Sequence, residues 1–234
     1  MKKYLLIALV ALFCFTAGCA GSESAASPAA EPVPAAEPTP EPVSEPAPAP
    51  APRSDVPVPD IITGKIEMEN GGVMTFELYP DVAPESVSNF VFLARQGFYN
   101  GLKFHRIMDG FMIQGGCPDG DGGGNPGYSI LGEFEANGVE NNLSHNRGVM
   151  SMARGNDFNS AGSQFFICHG DPQFLDGNYA GFGMITSGME IVDEIATVPV
   201  LDNNGKVAPA DMPVIKTITI DGDFSMDEPK KLPR

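Results

Sequence analysis

The hydrophobic pattern of the chain falls into three regimes. From Tyr4 to Phe15 apolar residues run almost unbroken, from Ser27 to Pro59 little could pack, and from about Ile61 β-branched and aromatic residues alternate with polar ones. Alternation places every second side chain on one face of a strand, so "TGKIEMEN" and "GVMTFELYP" around Gly71 and Gly72 read as a hairpin. Its glycines supply the positive φ that a tight turn demands. In "APESVSNFVFLARQGFYNG" the period changes: Val87, Phe90, Val91 and Ala94 recur at helical spacing, Pro84 suits the first turn and Gly97 marks the stop. Six further short runs, "LKFHRIM", "FMIQ", "GVMSMA", "SQFFICH", "AGFGMITS" and "VIKTITID", follow at intervals too small for the crossovers of a parallel sheet. A second, shorter helix runs through Ile191, Val192 and Ile195 and ends before Pro199. The pattern predicts a mainly β domain over residues 61–222, a closed eight-stranded antiparallel barrel capped by two α-helices, with a flexible tail at 223–234.

The first two regimes are not part of that domain. Residues 1–18, with two lysines, an apolar run and small residues leading to a cysteine, have the form of an export signal. The run is short for a membrane span, which needs about 20 residues. "TAGC" resembles the lipobox of bacterial signal peptides, making Cys19 the lipidated first residue of the mature chain; a plain secretory signal is the alternative, because Thr16 stands where a lipobox has leucine. Residues 19–60 form a linker: the stretch Ser27–Pro59 holds 12 of the 22 prolines, with glutamates that repel one another. Such a segment favours polyproline II at about 3.1 Å per residue, a disordered but extended stalk with a reach on the order of 100 Å. The expected location is the cell envelope or the outer face of the cytoplasmic membrane, with contact to lipid only through Cys19.

A formal charge of −16, with Lys and Arg numbering 14, argues against nucleic acid, whose binding draws on clustered cations. Once Cys14 leaves with the signal and Cys19 carries lipid, Cys117 and Cys168 remain, without the spacing of a metal or redox motif. His105, His145 and His169 lack the paired spacing of zinc motifs, and "PDGDGGGNPG" has Gly123 and Ile130 where a calcium loop needs oxygen ligands. No metal and no cofactor is expected. The same loop lacks the GK[ST] of a phosphate cradle, and no serine sits in a G-x-S-x-G context.

One stretch stands out. "FHRIMDGFMIQGG" sets Arg106 and Gln114 among apolar strand residues with no acid except Asp109 at the intervening turn. Period 2 puts Phe104, Arg106 and Met108 on one face, Met112 and Gln114 on one face of the next strand, and Gln164 with Phe166 on another. If those faces adjoin, they make an apolar-walled patch with one fixed cation and two amides, and without a nucleophile.

"FHRIMDGFMIQGG", "SMARGNDFNSAGSQFFI" and "FLDGNYAGFG", in this order and spacing, closely resemble the cyclophilins, a family of peptidyl-prolyl cis-trans isomerases. The resemblance covers essentially all of residues 61–222 and implies the eight-stranded barrel with two helices. Carried over by motif, it makes Arg106 the catalytic residue. Phe111, Met112, Gln114, Ala153, Arg154, Gln164, Phe166, Phe174, Leu175 and Tyr179 would line the groove, with Phe111, Met112, Phe166 and Leu175 as the proline pocket. Phe174 and Tyr179 stand where the best-known animal members have tryptophan and histidine; without the indole N–H, weaker cyclosporin binding is implied. "ARGND" replaces an alanine-asparagine-alanine stretch, altering the wall for residues before the proline. The expected partners are proline-containing polypeptides that fold outside the cytoplasm, and the expected state is a monomer. The rival reading is a binding or chaperone module that uses the same groove without turnover.

Overall fold

A computed structural model of the chain describes residues 57–234. The export signal, Cys19 and almost all of the linker lie outside the described residues.

The strands are β1 (Ile62–Met68), β2 (Val73–Leu78), β3 (Arg106–Met108), β4 (Met112–Gly115), β5 (Val149–Met152), β6 (Phe165–Cys168), β7 (Gly181–Ser187) and β8 (Ile215–Ile220). Helix α1 spans Pro84–Arg95 and α2 spans Met189–Ala196. Each run picked out by its pattern thus forms an element of the expected type. All neighbours pair antiparallel, in the order β3-β4-β6-β5-β7-β2-β1-β8.

The expected closed barrel is not what the ladders form. The order is that of a curled sheet with β3 and β8 at its ends, and these meet only through the isolated bridge Lys103↔Val214 and neighbouring bonds such as Phe104 N–H to the Pro213 carbonyl at 3.0 Å. Period 2 fails just before β3, where Phe104 and Ile107, three positions apart, both enter the interior core. Phe104 therefore does not share a face with Arg106; its ring meets that of Phe165 at 6.2 Å. The outer edge of β3 is taken by residues 205–207 instead of β8, through the Ile107 N–H to the Gly205 carbonyl at 2.8 Å, the Val207 N–H to the His105 carbonyl at 3.1 Å and the isolated bridge Arg106↔Lys206.

Elsewhere the alternation sorts side chains as the pleat requires. Ile113, Met150, Met152, Phe165 and Ile167 point to the interior, while Met112, Val149, Phe166 and Cys168 form a second, smaller cluster with Leu175 on the opposite face. Helix α1 inserts Phe90 into the interior, where its ring meets Phe76, Tyr99, Phe165 and Phe182 at centroid distances of 5.8, 5.1, 5.3 and 5.3 Å. Burial of such a ring contributes about 1.5–3 kcal/mol. Cys117 and Cys168 are buried and free, and burial pushes the Cys168 thiol up to about 12, so it is a poor nucleophile.

Residues 223–234, read from sequence as a loose tail, lie against the domain. Phe224 is buried under the Arg95 guanidinium, the Lys230 N–H bonds Glu85 at 2.8 Å, and the Lys231 ammonium sits 4.4 Å over the Phe92 ring. Ser129 and Leu232 exchange two backbone bonds of 3.0 and 2.8 Å. Polar residues with few apolar anchors hide this docking from any periodicity test.

Candidate active site

The outward cluster becomes a groove because β3, β4 and β6 are neighbours in register. Arg106 pairs with Gln114, and Gln114 with Phe166, across the ladders. A cavity of about 100 Å³ is lined by Arg106, Phe111, Met112, Gln114, Ala153, Arg154, Phe166, Leu175 and Tyr179. These are nine of the eleven groove residues expected from sequence. The other two lie close by: Gln164 lines an adjoining cavity, and Phe174, 74% exposed, stands at the rim with its ring 5.5 Å from that of Phe111.

Arg106 is half-buried, and its bonded partners are neutral. Its Nε donates to the Asn204 carbonyl at 2.8 Å, one terminal nitrogen to Asn204 Oδ1 at 3.2 Å and the other to Gln114 Oε1 at 3.2 Å. The remaining donors meet only the thioethers of Met108 (3.1 Å) and Met112 (4.0 Å). No carboxylate forms an ion pair with it among the described residues. Burial lowers its pKa, with Tyr179 and Asp202 acting the other way, but a guanidinium stays protonated. Oxygen acceptors thus fix the fork, while sulfur, a weak acceptor, leaves donor capacity facing the groove.

The amides continue this chain in one direction. Gln114 Nε2 donates to Gln164 Oε1 at 3.0 Å, and Gln164 Nε2 donates to the carbonyls of Gly122 (2.8 Å) and Gly124 (2.9 Å). Because Arg106 occupies Gln114 Oε1, the amide nitrogen must point away from it and keeps one hydrogen for a ligand carbonyl. Arg154 is committed elsewhere: it donates to the carbonyls of Asn178 and Gly155 and stacks 4.6 Å over the Tyr179 ring, so it builds wall.

Phe166, the floor of the pocket, rests on a support the sequence reading missed. The His145 ring stacks on it at 6.0 Å and 18° and bonds Ser151 Oγ at 2.9 Å and Asp176 Oδ1 at 2.7 Å. This Asp-His-Ser array does not act as a hydrolase triad, because Ser151 is fully buried and cannot meet a substrate. Burial lowers the His145 pKa against the pull of Asp176. For Asp176 burial acts upward, but bonds from Ser144, the His145 N–H and the His145 ring outweigh it and the pKa falls. Asn204 was missed as well. "LDNNGK" signals a turn, and nothing in it shows that the turn meets a residue 98 positions earlier.

The groove combines apolar walls with the Arg106 guanidinium, an oriented amide at Gln114 and, stacked into its wall, Arg154, and it holds no nucleophile; the comparisons with known proteins give this class of site its family. The sequence model of the cyclophilin type peptidyl-prolyl cis-trans isomerase family matches residues 63–220. Peptidyl-prolyl cis-trans isomerase B of Bacillus subtilis is 46% identical over 140 residues, covering 59% of this chain and 94% of its own. A peptidyl-prolyl cis-trans isomerase of Helicobacter pylori is 46% identical over 137 residues, covering 57% and 80%. The crystal structure of a cyclophilin type isomerase from Cryptosporidium parvum superposes with a TM-score of 0.61 at 32% identity, covering 69% of this chain and 98% of that one. The same isomerase in the presence of the dipeptide Ala-Pro gives 0.60 at 33%, covering 68% and 99%. The chain belongs to the cyclophilin type peptidyl-prolyl cis-trans isomerases, and its activity is theirs.

Proposed function

We propose that the chain accelerates X-Pro isomerisation in exported proteins, with Arg106 stabilising the twisted amide. Resonance sets a barrier of about 18–20 kcal/mol to rotation about a peptide C–N bond. At proline the isomers lie within about 1 kcal/mol but exchange in tens to hundreds of seconds, so the obstacle is kinetic. Midway through rotation the prolyl nitrogen becomes pyramidal and gains a lone pair that accepts a hydrogen bond. Arg106 donates to it without proton transfer, and the apolar walls strengthen the bond by excluding water. Gln114 holds a flanking carbonyl, while Phe111, Met112, Phe166 and Leu175 grip the ring. Catalysis follows because the twisted form gains a bond that neither planar isomer makes.

The observation that carries this reading is that Arg106 has only neutral bonded partners, so its charge is not cancelled where the amide twists. Arg106→Ala is expected to lower kcat/KM on an Ala-Pro peptide by about 10²-fold, the scale for losing one transition-state donor, with an unchanged fold by circular dichroism. Undiminished exchange in an NMR or protease-coupled assay would refute the role.

Export rests on the sequence of residues 1–19. Cys19→Ala is expected to abolish palmitate incorporation and to release the domain from the membrane fraction; a variant that still carries label would remove the lipid anchor from the proposal. The absence of an indole N–H at Phe174 supports weaker cyclosporin binding than in members that have tryptophan there.

A further inference from the structure

Beside the proline groove, and sharing Gln114, Ala153 and Arg154 with it, lies a second cavity of about 190 Å³. Its lining has two basic side chains, Arg154 and Arg234, and no acidic one. That composition runs against the domain, in which Asp and Glu outnumber Lys and Arg by 20 to 8 over residues 61–222. Asp119, Asp121 and Asp157 belong to flanking loops; Asp121 and Asp157 are turned into them, accepting the N–H groups of Gly123 and Asn159 at 2.7 Å each.

Arg234 reaches this rim because the segment after β8 is held along α1 and then against Ser129 by the paired bonds of Leu232. Its own partners are neutral and distant, the Ser129 hydroxyl at 3.3 Å and the Ser160 carbonyl at 3.4 Å. It lies outside the 63–220 match, so this cation is not supplied by the family's common core.

We infer that Arg234 is a specificity-determining residue: it selects clients with an acidic side chain close to the isomerising proline. The inference rests on the isomerase reading of the groove. A peptide crossing both cavities advances about 3.3 Å per residue, so the side chain entering the second cavity belongs to a near neighbour of the proline. There a carboxylate meets a guanidinium that no acidic side chain among the described residues occupies, and an ammonium is repelled.

The test uses the full chain and peptides with a central Ala-Pro and Glu, Ala or Lys placed in turn one to three residues away on either side. The parent is expected to favour Glu over Ala at one of these positions by about threefold or more in kcat/KM, as an exposed charge pair allows, with the preference fading as salt rises. Arg234→Ala brings that ratio to about one, Arg234→Lys retains part of it and Arg234→Glu reverses it toward Lys. Calorimetric binding of the same peptides reads selectivity even without turnover, so loss of the isomerase reading and loss of this inference are separable. An unchanged Glu:Ala ratio in Arg234→Ala overturns the inference. An equal fall for every peptide also overturns it, since that marks an arm anchor.

Discussion

Arg106 must be buried enough for its charge to count, and held without being neutralised. Three oxygen acceptors, two of them from Asn204, meet both demands, because neutral groups orient a guanidinium without cancelling its field. The next residue, Gly205, has φ 81°, and a Cβ there would run into the Ile107 carbonyl, so glycine is what lets the turn approach β3. Asn204→Ala removes the side-chain acceptor and keeps the backbone one. It is expected to lower kcat/KM by about 2–10-fold, because this exposed bond is one of three that orient the guanidinium and water replaces part of it, with an unchanged melting temperature. A variant as active as the parent would show that the backbone carbonyl alone sets the fork.

Among the elements, α1 shows how far a local signal can lie from its completion. Pro84 and the apolar stripe mark its start, but its N-cap, Ala83, offers no side-chain bond. The free donors of its first turn are satisfied by Glu133, which accepts from the N–H groups of Glu85 and Ser86 at 2.8 Å each and from the Ser86 hydroxyl at 2.7 Å. A carboxylate at a helix N-terminus also meets the positive end of the macrodipole. Glu133→Ala leaves buried donors unpaired, at a cost of about 2–4 kcal/mol. In a domain of this size that is a fall of roughly 5–15 °C in melting temperature, read by calorimetry. A drop of only a degree or two would mean that water replaces the cap. The helix itself was legible from its period; its cap was not, since Glu133 stands in an irregular loop in no pattern with Pro84.

At the scale of the molecule, two buried histidines tie stability to pH. Among the described residues no hydrogen bond of normal geometry reaches either ring nitrogen of His105, and burial lowers the pKa of both His105 and His145, against the weaker pull of the Lys103 carbonyl and Gln164 on the first and of Asp176 on the second. At these two positions the unfolded chain therefore takes up protons as pH drops through 6.5, and the folded chain does so only at lower pH. Their contribution is whole above that value and declines below it, by at most about 1.4 kcal/mol per pH unit for each histidine. Melting temperature should hold steady in mildly alkaline buffer and fall under mild acid. His105→Leu should flatten that fall, and an equal slope in parent and variant would clear His105. Comparing the two isolates the histidine from Glu133, whose pKa burial raises despite its bonds, so that it acts with the opposite sign.

The sequence by itself determined the elements, which rest on short-range rules, and period 2 set Arg106, Met112, Gln114 and Phe166 on candidate faces; the rest of the groove lining came with the likeness of three motifs to a known family. A pleat alternates every second residue, a helix repeats near every fourth, and the chemistry of "FHRIMDGFMIQGG" is written in consecutive letters. Tertiary structure alone decided how those groups are held: Asn204 on Arg106, His145 beneath Phe166, Glu133 on α1, residues 205–207 on the outer edge of β3, and Arg234 at the second cavity. Each depends on residues far apart in the chain meeting through single hydrogen bonds or ring contacts, and a single contact leaves no period for a pattern to reveal.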